Sequence, residues 1–112
     1  MLSATPSKGW HFVAKARDMR ADEAKVVTVG ERQIAVCRVA GKLYAFDNIC
    51  SHEFACLSDG LIEGEEIECP LHQARFHIPT GKALSEPATA DLAIFAVKEE
   101  AGDVLVEAVA KA

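Results

Sequence analysis

Two short motifs in the middle of the chain constrain its fold more than any other feature. The first is Cys50-Ser51-His52 and the second is Cys69-Pro70-Leu71-His72, with sixteen residues between them. In each motif the cysteine and the histidine are too close in sequence to lie on separate elements, so each pair must come from one tight loop. Pro70 lacks a backbone donor and has a fixed φ angle, which excludes a helix from the second loop.

The four side chains make a mixed set of metal ligands, with two thiolates and two imidazoles. A two-iron, two-sulfur cluster takes such a set when two histidines replace two cysteines on one iron. A structural zinc ion is an alternative, because zinc also binds cysteine and histidine in fours, but its sites usually pair like residues. A third possibility is ordinary buried residues without a metal. The pattern predicts a [2Fe-2S] cluster held by Cys50, His52, Cys69 and His72.

This spacing resembles that of the Rieske family, and the short chain is similar to the Rieske ferredoxins of bacterial ring-hydroxylating oxygenases. The resemblance covers residues 10–108 and includes Pro87, where the family has a proline-containing loop that covers the cluster. It implies an all-β fold of the Rieske type, with small antiparallel sheets and two cluster-binding loops. At 112 residues, we expect one such domain over residues 1–112.

The resemblance also implies a function. We expect a one-electron carrier, not an enzyme, that takes electrons from a flavin-dependent ferredoxin reductase. It would deliver them to the terminal Rieske oxygenase of an aromatic-ring dioxygenase system, in aromatic hydrocarbon catabolism. We expect the carrier to be monomeric. The alternatives are a component of another redox system, such as a nitrite reductase small subunit, and a structural zinc-binding module.

Composition and charge exclude other classes of function. The formal net charge of -5 argues against nucleic-acid binding. No apolar run approaches the ~20 residues that span a bilayer, and residues 1–9 lack the apolar core of a signal peptide. These features predict a cytoplasmic protein with no membrane association.

One stretch of the chain, residues 43–74, is acidic and contains no lysine or arginine. We interpret it either as a solvated surface or as a surface that steers a basic partner. Its acidic residues are Asp47, Glu53, Asp59, Glu63, Glu65, Glu66 and Glu68.

Short runs rich in β-branched and aromatic residues, bounded by glycine turns, predict strands throughout. The expected strands are 10–14, 26–29, 34–39, 43–46, a short hairpin over 61–68, 76–78, 92–97 and 104–109. Tight turns are predicted at Ala40-Gly41-Lys42 and Ala101-Gly102-Asp103, and a type I turn over residues 78–81. No amphipathic helix of useful length is expected. His11 and His77 are interpreted as ordinary strand positions and not as ligands.

The two remaining cysteines have separate interpretations. Cys37 lies in an apolar strand and is predicted to be a small buried hydrophobe. Cys56 lies between the two motifs and is predicted to be a half-exposed free thiol. A cytosolic setting disfavours a disulfide between them.

The ligand set and the residues near the second motif bear on the reduction potential of the cluster. Two thiolates cancel the net charge of two ferric and two sulfide ions, which places the potential above that of plant-type clusters. High-potential Rieske proteins have a disulfide between the ligand loops, and hydroxyl donors two and four residues after the second ligand histidine. Here Leu71 occupies the position of one of the disulfide cysteines, and Ala74 and Phe76 occupy the positions of the two hydroxyl donors. With fewer donors to the cluster, we expect a potential at the low end of the Rieske range, which spans about −150 to +300 mV.

Overall fold

Nine strands arranged in two antiparallel sheets form the framework of the chain. A computed structural model describes residues 9–49, 55–70, 74–84 and 90–110, and the count refers to these residues. The strands are β1 (Trp10–Lys15), β2 (Ala24–Val29), β3 (Arg32–Val39), β4 (Lys42–Asp47), β5 (Leu61–Glu63), β6 (Glu66–Glu68), β7 (Arg75–His77), β8 (Ile94–Glu100) and β9 (Asp103–Ala110). The prediction of an all-β fold with small antiparallel sheets is confirmed.

The larger sheet has six strands in the order β1-β9-β8-β4-β3-β2, and the smaller sheet has the order β5-β6-β7. Helical structure in the described ranges is confined to two 3-10 turns, Ala16–Asp18 and Leu57–Asp59. No helix there has the length and hydrophobicity that a membrane-spanning segment needs.

The hairpin turns of the larger sheet follow from local sequence. Ala40 and Gly41 have φ angles of 52° and 82°, and they join β3 to β4 between the paired residues Val39 and Lys42. Two successive residues with positive φ match the right-handed twist of the flanking strands. The turn predicted at this position is therefore confirmed, as is the turn between β8 and β9 at Ala101 and Gly102.

Several predicted strand boundaries are wrong by one to three residues, and two of them have a clear cause. β7 ends at His77, and the Gly81 N–H donates to the His77 carbonyl at 2.7 Å, so the turn starts one residue earlier than the predicted type I turn and closes at the same residue. β8 begins at Ile94 and not at residue 92, because the Leu92 N–H donates to the Gly81 carbonyl at 2.7 Å instead of to a strand.

Strand β3 carries the core on both of its faces. Ile34, Ala35, Val36 and Cys37 are all fully buried, which explains why this strand reads as a continuous apolar run. Ala35 and Cys37 belong to the cluster of buried residues that also includes the inner face of the small sheet. Ile34 and Val36 pack in a second cluster within the large sheet. The small sheet is thus fixed to β3 and β4 by its buried face.

Candidate metal centre

The structure describes one of the four predicted ligands. Cys69 follows β6 directly, is fully buried and forms no disulfide. Cys50, His52 and His72 lie outside the described residues, as does Pro87. Within the described ranges, no group of three or more histidine, cysteine or acidic side chains is placed to hold a metal ion. The ligand set therefore stays a prediction, and the described chain on either side of it gives the geometry of the site.

The chain around the second motif leaves and re-enters the small sheet at neighbouring positions. The Cys69 N–H donates to the Ala74 carbonyl at 2.7 Å. Glu68, which precedes Cys69, pairs with Arg75, which follows Ala74, across β6 and β7. Cys69 is thereby held at the end of a short hairpin, with its own N–H already bonded within the chain.

The chain on either side of the first motif is also held together. Ile49 and Cys56 form an isolated antiparallel bridge. The Leu57 N–H donates to the Asn48 carbonyl at 2.7 Å, and the Ser58 N–H donates to the Asn48 side-chain oxygen at 2.9 Å. Ile49 and Cys56, which lie on either side of the first motif in sequence, are therefore held side by side.

Gly60 brings the two motif regions into contact. A Cβ atom at this position would lie 1.9 Å from the Glu68 carbonyl oxygen and 3.1 Å from the Leu57 carbonyl oxygen. Gly60 has a φ of -86°, so glycine is needed here for space and not for an unusual backbone conformation. The chain leaving the first motif thus contacts the residue immediately before Cys69.

Residues on either side of positions 85–89 contact the same hairpin and each other. The Leu84 N–H donates to the Arg75 carbonyl at 2.8 Å, and the Ala83 N–H donates to the Asp91 side chain at 2.8 Å. These contacts place Leu84 beside β7 and Asp91 beside Ala83, on either side of residues 85–89, which lie outside the described residues.

The outer face of the small sheet is acidic, with one arginine among its carboxylates. The Arg75 guanidinium lies 2.9 Å from Glu68, 3.2 Å from Glu66 and 3.4 Å from Glu63. The side-chain hydrogen bond to Glu66, with the charges of Glu68 and Glu63, raises the pKa of Arg75 above its ordinary value. The acidic stretch is therefore partly neutralised by a residue that follows it directly in sequence.

The other cysteines and histidines have roles that do not require a metal. Burial raises the pKa of Cys37 to about 12, which keeps its thiol neutral, and the predicted buried role is confirmed. Cys56 is half-buried and forms no disulfide, as predicted. His77 lies 2.8 Å from the Thr80 hydroxyl and 3.3 Å from Glu65. His11 lies in β1 of the larger sheet.

Sequence reasoning missed Asn48, Gly60 and Arg75. Asn48 stands two residues before the first motif, and its side chain closes the chain around that motif. An asparagine beside a tight loop is a local indication of such a role, because its amide can bond to nearby backbone. The importance of Gly60 and Arg75 depends on contacts with other strands, which no local pattern indicates.

Comparison with known proteins assigns this arrangement to a family. Residues 9–96 match the model of the Rieske [2Fe-2S] domain. The ferredoxin component of the naphthalene 1,2-dioxygenase/salicylate 5-hydroxylase systems of Ralstonia sp. is 45% identical over 94 residues, which cover 84% of this chain and 90% of the relative. The ferredoxin component of the naphthalene 1,2-dioxygenase system of Pseudomonas putida is 42% identical over 98 residues, covering 88% and 94%.

Solved structures agree with the sequence matches. A chain in the complex of reduced oxygenase and oxidised ferredoxin in carbazole 1,9a-dioxygenase superposes with a TM-score of 0.90 at 36% identity, covering 95% of this chain and 99% of that chain. A putative NADH-dependent nitrite reductase small subunit from Mycobacterium tuberculosis superposes with a TM-score of 0.80, covering 91% and 96%. Its identity is 17%, so it shows a shared fold alone.

Proposed function

Because the chain belongs to the Rieske [2Fe-2S] domain family, we propose that it is the ferredoxin component of an aromatic-ring dioxygenase system. It carries one [2Fe-2S] cluster and transfers single electrons, and it is not itself the oxygenase. The observation that carries this function is the match, over nearly their whole length, to relatives named as ferredoxin components of such systems.

The residues that would hold the cluster are Cys50, His52, Cys69 and His72. Their donor chemistry fits, since two thiolates and two neutral imidazoles are what a Rieske cluster binds. Support also comes from the position of Cys69, which is buried at the end of β6 beside the chain that leaves the first motif. When bound, the cluster supplies a site that gains and loses one electron reversibly.

Three described residues at the second motif bear on the hydrogen bonds that are available to the cluster. The Cys69 N–H is committed to the Ala74 carbonyl. Ala74 and Phe76 are fully buried and have no side-chain donor. Because donors near a cluster favour its reduced form, this environment supports a potential at the low end of the Rieske range.

The proposed partners are a flavin-dependent ferredoxin reductase, which supplies electrons, and a terminal Rieske oxygenase, which receives them. The oxygenase is supported by the solved complex of ferredoxin and oxygenase in carbazole 1,9a-dioxygenase. The reductase is supported by the chemistry of a carrier, which needs a donor. We further propose a cytoplasmic monomer that forms a single domain over residues 1–112.

Two other functions have less support. A nitrite reductase small subunit shares the fold at 17% identity, whereas the ferredoxin component from Ralstonia sp. is 45% identical over 84% of this chain. A structural zinc module would use the same four donors. The metal content separates it from the proposed carrier.

We expect the purified protein, produced with an adequate supply of iron and sulfide, to contain two irons and two acid-labile sulfides per chain. It should also restore product formation when added to a ferredoxin-depleted mixture of dioxygenase reductase and oxygenase. Metal analysis and a coupled oxygenase assay measure these outcomes, with the Cys69→Ala variant as control. One zinc per chain and no sulfide, or no restored product formation, would contradict the proposal.

We also expect a midpoint potential at the low end of the family range, about −150 mV. The physical reason is the lack of side-chain donors at Ala74 and Phe76. A redox titration followed by visible absorbance gives the value. The Ala74→Ser variant introduces one hydroxyl and should raise the midpoint potential. A midpoint above about +100 mV in the unmodified protein would be incompatible with this account.

A further inference from the structure

Asn48 is a buried polar residue at the edge of the proposed cluster site. It is 1% exposed, and it is the one fully buried polar side chain among the residues that the structure describes. A buried amide is costly unless its donors and acceptors are bonded. Its position in sequence, two residues before Cys50, places it directly ahead of the first motif.

Every type of polar group on Asn48 has a partner, and the partners lie on two different parts of the chain. Its N–H donates to the Gln33 carbonyl at 2.9 Å, and its side-chain NH₂ donates to the Gln33 side-chain oxygen at 3.0 Å. Its carbonyl and its side-chain oxygen accept from the N–H groups of Leu57 and Ser58. Asn48 therefore connects β3 to the 3-10 turn that follows the first motif.

The orientation of the Asn48 amide follows from these partners. The Ser58 N–H can only donate, so the Asn48 atom that it contacts must be the oxygen. The NH₂ group must then face Gln33, whose side-chain oxygen accepts from it. Aspartate at position 48 could accept from Ser58 but could not donate to Gln33, and alanine could do neither.

We propose that Asn48 and Gln33 form a positioning pair for the half of the cluster site that contains Cys50 and His52. This inference rests on the proposed function, since it assumes that the first motif provides ligands. The two backbone bonds of Asn48 would remain with any residue except proline at this position. The side-chain bonds to Ser58 and Gln33 are what asparagine adds, and they fix the 3-10 turn that follows the first motif to β3.

The test compares Asn48→Ala, Asn48→Asp and Gln33→Ala in protein loaded with its cluster. Alanine at position 48 leaves the Ser58 N–H without its acceptor, and we expect cluster loss about tenfold faster than in the unmodified protein. We expect altered g-values in the electron paramagnetic resonance spectrum of the reduced protein. Gln33→Ala removes only one side-chain bond and should have a smaller effect. Asn48→Asp should lose its cluster more slowly than Asn48→Ala and faster than the unmodified protein.

Val106→Ala provides the matched control. Val106 is fully buried in β9, within the core of the large sheet, and its truncation lowers stability without touching either motif. It should lower the unfolding temperature while leaving the rate of cluster loss, measured well below that temperature, and the spectrum unchanged. If Asn48→Ala instead follows Val106→Ala in both readouts, the positioning role is wrong.

The remaining outcomes are also decisive. If Asn48→Ala does not fold, Gln33→Ala and Asn48→Asp decide the question, and unaltered spectra and cluster retention in both would overturn the inference. If the unmodified protein binds no cluster, the proposed function fails, and the inference fails with it. A loaded protein whose variants behave like the unmodified one overturns the positioning pair alone.

Discussion

Replacing Cys69 with alanine is expected to abolish binding of the [2Fe-2S] cluster. The substitution removes one of two thiolates, and the three remaining donors cannot complete the ligation of two irons. Because Cys69 is fully buried beside other apolar residues, alanine fits the site without clashing. We expect colourless protein with less than about a tenth of the iron of the unmodified protein. Iron and sulfide analysis together with the visible spectrum measures this.

Cys37→Ala is the matched control for this loss. Cys37 is equally buried, and its thiol is kept neutral by burial, so we assign it a packing role. Its truncation should cost about 1 kcal/mol of stability through lost apolar contact and leave the full complement of iron. Equal iron loss in both variants would show that disturbance of the core, and not removal of a ligand, empties the site.

The parts of the fold that were predictable from sequence are those set by local chemistry. The tight turn at Ala40 and Gly41 needs two residues with positive φ, and the flanking strands carry β-branched and aromatic residues that suit a pleated surface. The strand ends at His77 and Ile94 were not predictable. They are set by the hydrogen bond from the Gly81 N–H to the His77 carbonyl and by the one from the Leu92 N–H to the Gly81 carbonyl.

The site divides in the same way. The ligand motifs indicate their chemistry because residue type and spacing alone limit which metal they can bind. The supporting contacts involve residues distant in sequence, such as Gln33 with Asn48 and Gly60 with Glu68. Arg75 lies just outside the acidic stretch in sequence, but its guanidinium lies close to three of the carboxylates of that stretch. Charge along a sequence therefore overstated the charge on this surface.

Gly60→Ala is expected to disturb both motif regions at once. The added Cβ would lie 1.9 Å from the Glu68 carbonyl oxygen, and a backbone atom cannot rotate away as a side chain could. Either the end of β6 or the chain after Leu57 must move, and Cys69 follows β6 directly. We expect a stability loss of about 3 kcal/mol and a lower iron content. Thermal unfolding and iron analysis of the same preparation measure both effects.

Gly64→Ala is the control in the same small sheet. Gly64 has a φ of 62°, and no atom lies within 4 Å of the position that a Cβ would occupy, so alanine there introduces backbone strain without a clash. That strain costs about 1 kcal/mol, and Gly64 lies in the turn at the opposite end of β5 and β6 from Cys69. Iron content should therefore stay full in Gly64→Ala and fall in Gly60→Ala. If both variants keep their iron, the contact between Gly60 and Glu68 does not support the cluster site.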